Sequence, residues 1–217
     1  MPVSNQFQCL FIHIPKTGGT SIETALQMRG DKIVERRDLL YGPVRSWLIR
    51  RMKPKTAYLQ HLTYDEVKKI APRVIAKGYF SFSFVRNPWA RMVSVYNNID
   101  GNLVRESRQE GLELEGLSFN EFVVKTKDLI HPHLRPQCDF ICGNDGELQI
   151  DFLGRFERLE EDFAEICARL SAQVNLPWHN QATDKSESDY RAYYCAQTKE
   201  IIESRYRRDI DLFGYRF

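Results

Sequence analysis

Six consecutive residues, Lys16, Thr17, Gly18, Gly19, Thr20 and Ser21, gather a cation, hydroxyls and two glycines directly after an apolar run that breaks at Pro15. That set suits the holding of an anion. Glycines let the backbone approach a ligand, the start of a following helix offers N–H groups at a positive dipole end, and lysine adds a mobile positive charge. Thr20 and Ser21 either cap the helix or donate to a phosphate oxygen, and the sequence leaves both roles open. A bare strand-to-helix turn has no need of lysine and hydroxyls crowded around two glycines. The residue order departs from the common nucleotide loop, where the lysine follows the glycines rather than preceding them. A magnesium-assisted phosphoryl transfer therefore does not carry over.

A second group follows the aromatic run from Tyr79. Arg86 stands at its C-terminal end, Pro88 suits the first turn of a helix, and Arg91 and Ser94, three apart, share one face of that helix. Arg86 can fork onto a phosphate. Ligands of an open parallel sheet lie outside the carboxyl ends of its strands, so Arg86 and the Lys16 loop face one crevice if their strands are neighbours. Between the two groups, His61 sits in His-Leu-Thr-Tyr just before Thr63, an N-cap for a helix through Ile70. At such a loop edge an imidazole can serve as a base. His13 reads as a hydrogen-bonded core or loop-edge histidine held in reserve. His131 and His133 lack a third ligand, and Cys138 and Cys142 lack a second pair, so no metal is assigned.

The elements that must position these residues alternate. Gln8 to Ile14 reads as a strand covered on both faces, and Ser21 to Met28 as a helix with Ile22, Ala25, Leu26 and Met28 inward. Phe80, Phe82, Phe84 and Val85 form the next strand. Glu106 to Gly116 reads as a polar loop, and Ser118 caps a helix carrying Phe119, Phe122 and Val123. Gln149 to Phe156 makes a further strand, Leu159 to Leu170 an amphipathic helix and Tyr190 to Tyr206 a tyrosine-rich helix, after which aromatic residues dock the terminus. The β/α rhythm implies an α/β fold with a parallel sheet flanked by helices, in a single domain over residues 1–217. From Arg29 to Lys55 there are nine Lys or Arg against three Asp or Glu, which reads as a solvated insertion or as a rim that attracts an acidic partner.

Composition bounds the rest. An apolar content of 42% and a charged content of 28% are those of a globular domain, and no apolar run reaches the ~18 residues of a membrane span. The first residues lack the pattern of a leader, so the expectation is a chain made and kept in the cytoplasm. Five scattered cysteines argue against a disulfide framework, and a net charge of +2 is too small for a nucleic-acid partner.

With both motifs in hand, the chain resembles the sulfotransferases, in the group of the heparan 2-O and chondroitin/HNK-1 carbohydrate enzymes and their soluble bacterial relatives. IPKTGGTS, Ile14 to Ser21, is similar to the family's 5′-phosphosulfate loop, and VRNPWARMVSVY, Val85 to Tyr96, to its 3′-phosphate motif. Further similarity lies in RPQCDFI, DFLGRFERLEEDF, LPWHN and RYRRDIDLFGY. The resemblance implies a P-loop-NTPase-like fold. It also implies a sulfuryl donor, 3′-phosphoadenosine 5′-phosphosulfate (PAPS), used without a metal, and a hydroxyl-bearing acceptor, commonly a sugar, with an acidic carbohydrate as a candidate. On this reading Lys16 contacts the transferring group, Thr17, Gly18, Gly19, Thr20 and Ser21 cradle the 5′-phosphate, and Arg86 and Ser94 hold the 3′-phosphate. His61 matches the base of the 2-O branch, and Glu23 stands where other branches carry a catalytic glutamate. A small-molecule kinase and a catalytically silent nucleotide-binding scaffold are the competing readings.

Overall fold

The run Cys9–Ile12 is buried at every position. Successive strand residues point to opposite faces, so a strand of this kind needs cover on both. The computed structural model describes residues 3–28, 59–70, 72–177 and 190–217. Arg29 to Lys55, and Trp178, His179 and Asn180 of LPWHN, lie outside the described residues.

In chain order the elements are β1 (Val3–Ser4), β2 (Cys9–Ile12), α1 (Gly19–Ala25), a 3-10 turn (Leu59–His61), α2 (Tyr64–Ile70), α3 (Pro72–Ala76) and β3 (Phe80–Val85). There follow α4 (Pro88–Asn97), α5 (Gly101–Gln109), α6 (Phe119–Thr126), α7 (Cys138–Ile141), β4 (Phe152–Arg155), α8 (Leu159–Arg169), α9 (Ala196–Arg205) and α10 (Arg207–Phe213). The architecture is α/β. Two compact units make it up, Met1–Val85 with Asp139–His179, and Arg86–Cys138 with Asn180–Phe217.

The first unit is built on a sheet of order β1-β2-β3-β4. β2, β3 and β4 run parallel, while the short β1 returns antiparallel onto β2 at the edge. The register pairs Phe11 with Phe82 and Phe84 with Gly154, which puts Cys9, Phe11, Phe82 and Phe84 on one face. Onto that face pack Ile22, Ala25, Leu26 and Met28 from α1 and just beyond it, with Phe163, Ile166 and Cys167 from α8. The helical spacing seen in the sequence is thus the inner stripe of each helix. Each large apolar side chain buried this way contributes ~1.5–3 kcal/mol.

The opposite face of β3 carries Ser81 and Ser83, both buried and both bonded. Ser83 Oγ donates to the carbonyl of Ile12 at 2.7 Å. Ser81 donates through N and Oγ to Asp151 Oδ2, each at 2.7 Å. Asp151 N donates to Ser81 O at 2.9 Å while its side chain takes Ser81 N, Gln149 N turns instead to Ile141 O at 2.9 Å, and β4 starts at Phe152 rather than at Gln149. On α2, Thr63 Oγ1 accepts from Glu66 N at 3.1 Å and Glu66 Oε2 accepts from Thr63 N at 2.8 Å, the reciprocal cap that the sequence announces.

In the second unit, two expectations change. Part of the supposed loop from Glu106 to Gly116 is the end of α5, opened by Asp100, whose Oδ1 accepts from Asn102 N at 2.8 Å. Only Leu103 and Ser107 of this helix are buried, too few to leave a readable apolar stripe. The tyrosine-rich helix starts at Ala196, not Tyr190. Upstream, Tyr193 and Tyr194 pack edge-on against Phe119, and Tyr190 and Tyr194 against Phe217. Those ring contacts outweigh the helical preference of the local sequence and dock the final residues. α6 opens with the Ser118 and Glu121 capping box. No disulfide joins any of the five cysteines, and burial pushes the Cys9 thiol up to about 12. Among the described residues no helix is long and apolar enough to cross a membrane.

Candidate functional site

β2 ends at Ile12, and His13 and Ile14, both buried, lead the chain into the turn before α1. Lys16 takes φ +70 in that turn. Left-handed backbone costs a non-glycine residue ~1–2 kcal/mol. Among the described residues Gln8, Gln27 and Ser171 share this geometry. Gln8 sits in the hairpin before β2, while Gln27 and Ser171 lie two residues past the ends of α1 and α8, where left-handed residues commonly close a helix. Lys16 follows Pro15 in the turn between β2 and α1, a place where a tight turn itself takes positive φ.

Thr17 is fully buried, and its Oγ1 donates to Ile14 O at 2.8 Å, so the hydroxyl braces the turn and its N–H is what remains for a ligand. Gly18, at φ +83, is the N-cap of α1, and no side chain caps that helix. Thr20 and Ser21 stand inside the first turn of α1. The glycines also have neighbours within the protein. A Cβ on Gly18 would lie 2.9 Å from Leu159 Cδ2, and one on Gly19 would lie 2.1 Å from His13 Nε2. Gly19 is thus required by the imidazole of His13, a reason the sequence reading did not contain.

His13 is 5% exposed, stacks on Phe11 and meets His61 edge-on with ring centroids 4.6 Å apart. Its Nδ1 lies 2.5 Å from Glu23 Oε1, and Gln60 Nε2 lies 2.9 Å from each oxygen of the same carboxylate. An ionised carboxylate only accepts, so both nitrogens donate to Glu23. His61, 7% exposed, has Nδ1 2.9 Å from His13 O. A carbonyl only accepts as well, so His61 carries its hydrogen on Nδ1, and the neutral ring has its lone pair on Nε2. That is the tautomer a base needs. Glu23, 3% exposed, already receives two donors through its carboxylate.

β2 and β3 are adjacent and parallel. Arg86 follows β3 directly and is buried. Within the second unit the side-chain amide of Gln137 clamps its backbone: Arg86 N donates to Oε1 and Nε2 donates to Arg86 O, both at 2.8 Å. Asp209 in turn holds Gln137 N and Cys138 N at 2.7 and 2.8 Å. Burial pushes the Asp209 carboxyl up, while the bonds from Cys138 and Gln137 oppose that rise. Asn87 Oδ1 accepts from Trp89 N and Ala90 N and so starts α4, which carries Ser94, itself buried. Arg91 spends Nη1 on Arg135 O and Nη2 on His133 O, and burial pushes its guanidinium down. It is a brace of the fold.

Gln60, Asn87 and Gln137 were missed by the sequence reading. Asn87 had a signal, an Asn directly before a helix-opening Pro. Gln60 and Gln137 had none. Among the described residues no group of three or more His, Cys, Asp or Glu could hold a metal ion.

A family model described as "Sulfotransferase family" matches residues 1–216. Carbohydrate sulfotransferase 14 of Danio rerio is 24% identical over 242 residues, covering 98% of this chain and 61% of that protein. Carbohydrate sulfotransferase 11 of Rattus norvegicus is 26% identical over 192 residues, covering 74% of this chain and 53% of that protein. An uncharacterized protein of Archaeoglobus fulgidus is 35% identical over 103 residues, covering 46% of this chain and 73% of its own. The chain thus spans between 53% and 61% of these two carbohydrate sulfotransferases. No solved structure matches at a significant level.

Proposed function

The chain belongs to the sulfotransferase family, and we propose that it moves the sulfuryl group of PAPS to a hydroxyl of a carbohydrate acceptor. The observation that carries this reading is Lys16 at φ +70, a cation in the tight turn that joins the exit of a parallel strand to the start of α1. Residues held in the left-handed region cluster at ligand clamps and active sites.

The donor set suits an anionic phosphosulfate. Lys16 supplies a charge, Thr20 and Ser21 supply hydroxyls, and Thr17, Gly18 and Gly19 supply backbone N–H groups. Arg86 and Ser94 are assigned to the 3′-phosphate, and the amide clamp of Gln137 fixes the backbone from which Arg86 extends. In the transfer, the acceptor hydroxyl gives its proton to His61 Nε2 and its oxygen forms the new bond to sulfur. The S–O bond to the 5′-phosphate breaks, its electron pair goes to the phosphate oxygen, and Lys16 offsets the charge that develops there. The products are the sulfated acceptor and 3′-phosphoadenosine 5′-phosphate. The acceptor class comes from the carbohydrate sulfotransferases that the chain is similar to. The positive excess between Arg29 and Lys55 suits an acidic member of that class.

Calorimetric titration with 3′-phosphoadenosine 5′-phosphate against ATP with magnesium tests the donor. Binding of the bisphosphate alone supports the proposal. Preference for ATP makes the chain a kinase, and binding of neither makes it a silent scaffold.

A further inference from the structure

We infer that Glu23 is a positioning residue that holds His61 in its base-competent form, acting through His13 and Gln60; the inference rests on the assignment of His61 as the base. Glu23 lies on α1, one turn past Gly19. Its buried carboxylate receives His13 Nδ1 at 2.5 Å and Gln60 Nε2 at 2.9 Å to each oxygen. These are the two residues that determine where His61 sits. Gln60 precedes it in the same 3-10 turn, and His13 supplies the carbonyl that takes its Nδ1–H.

The rings complete the arrangement. Phe11 stacks on one side of His13 at 5.3 Å, the edge of His61 meets it at 4.6 Å, and Gly19 closes off Nε2. With the His13 ring fixed and Gln60 tied to the same carboxylate, the His61 ring is held against His13 with Nδ1 on its carbonyl, which puts the lone pair on Nε2. Release of Glu23 loosens the His13 ring and the turn that carries His61, so that Nδ1 leaves the His13 carbonyl and the other tautomer forms, in which Nε2 carries hydrogen and cannot accept a proton. A buried carboxylate is costly unless paired, so the pairing with His13 and Gln60 comes before any reaction. Direct proton abstraction by Glu23 would require giving up those donors.

The test uses the full chain labelled with 15N-histidine. Long-range 1H–15N correlation reads which imidazole nitrogen bears hydrogen, and His61→Ala assigns the His61 signals. The unaltered protein is expected to show His61 in the Nδ1–H form. Glu23→Gln and Gln60→Leu should each convert it to a mixture. Transfer should fall roughly 10- to 100-fold while affinity for 3′-phosphoadenosine 5′-phosphate stays within about twofold. In a His61→Ala background neither substitution should lower transfer further. Gln60 is half-buried, so Gln60→Leu carries the test if Glu23→Gln does not fold. His61 signals that stay unmoved in the folded variants overturn the inference. So does a further loss in the His61→Ala background, which would make Glu23 a reacting group in its own right. Failure of the unaltered protein to bind the bisphosphate overturns the proposed function instead, and the tautomer readout still decides the role of Glu23.

Discussion

Gly19→Ala separates two explanations of the same glycine. If Gly19 is small so that a ligand can approach, alanine should leave stability intact and cost only donor affinity. The structure argues otherwise, because the new Cβ would lie 2.1, 2.3 and 2.5 Å from Nε2, Cδ2 and Cε1 of His13. That ring cannot swing aside cheaply, being buried, stacked on Phe11 and held at Nδ1 by Glu23. Overpacking of a filled interior costs ~1–3 kcal/mol. Loss of a buried hydrogen bond to a charged group adds ~1.5–3 kcal/mol. Replacing glycine in a helix returns up to ~1 kcal/mol. The net expectation is a destabilisation of ~2–4 kcal/mol, read by urea unfolding at equilibrium. In a His13→Ala background the same substitution has room and should be neutral within ~0.5 kcal/mol, so the two sites should couple by at least ~2 kcal/mol. A Gly19→Ala protein as stable as the parent, or an equal cost in both backgrounds, would refute the reasoning.

Lys16→Gly should be more stable than Lys16→Ala by ~1 kcal/mol, since only glycine relieves the left-handed strain, while both lose transfer; equal stabilities would remove the strain argument. His61→Ala should lower transfer by about 10²–10⁴-fold with the affinity for 3′-phosphoadenosine 5′-phosphate within about twofold, and undiminished transfer would exclude it as the base. Arg86→Ala should weaken that affinity about 10- to 100-fold, and an unchanged value would detach Arg86 from the 3′-phosphate. Burial pushes His131 down to about 4 despite the nearby charge of Asp100. Its folded pKa then lies below the unfolded value of 6.5, so the unfolded chain takes up the proton first and stability falls as pH drops from 6.5 towards 4. Between pH 7 and pH 5 the parent should lose ~2 kcal/mol more than His131→Gln in urea unfolding, and equal losses would refute the shift.

β2, β3 and β4 were legible because each lies in a short apolar run, whereas β1, only Val3 and Ser4, was not; two helix starts were legible because Thr63 with Glu66 and Ser118 with Glu121 write both halves of a capping box into four residues. α5 was not, because a helix that buries only Leu103 and Ser107 leaves no stripe to read. The start of α9 was misplaced for the opposite reason. Its tyrosines are strongly patterned, but the pattern serves ring contacts with Phe119 and Phe217 rather than a helical face.

Within the site, residue type was legible and residue employment was not. Arg86 and Arg91 carry the same guanidinium five positions apart. The bracing role of Arg91 comes from the carbonyls of His133 and Arg135, 42 and 44 residues further along the chain, which take Nη2 and Nη1. Gln60 likewise gains its meaning from Glu23, 37 residues earlier. Such partners follow no local period. They follow from a rule about burial: a charged or polar group taken out of water must find its bonds inside the protein. Glu23, His13, Arg91 and Asp209 all obey it through partners distant in sequence. The rule also explains why the His61 supports are complete without a ligand. Interactions that fix a base must already be satisfied when the acceptor arrives, or binding would have to supply the cost of forming them.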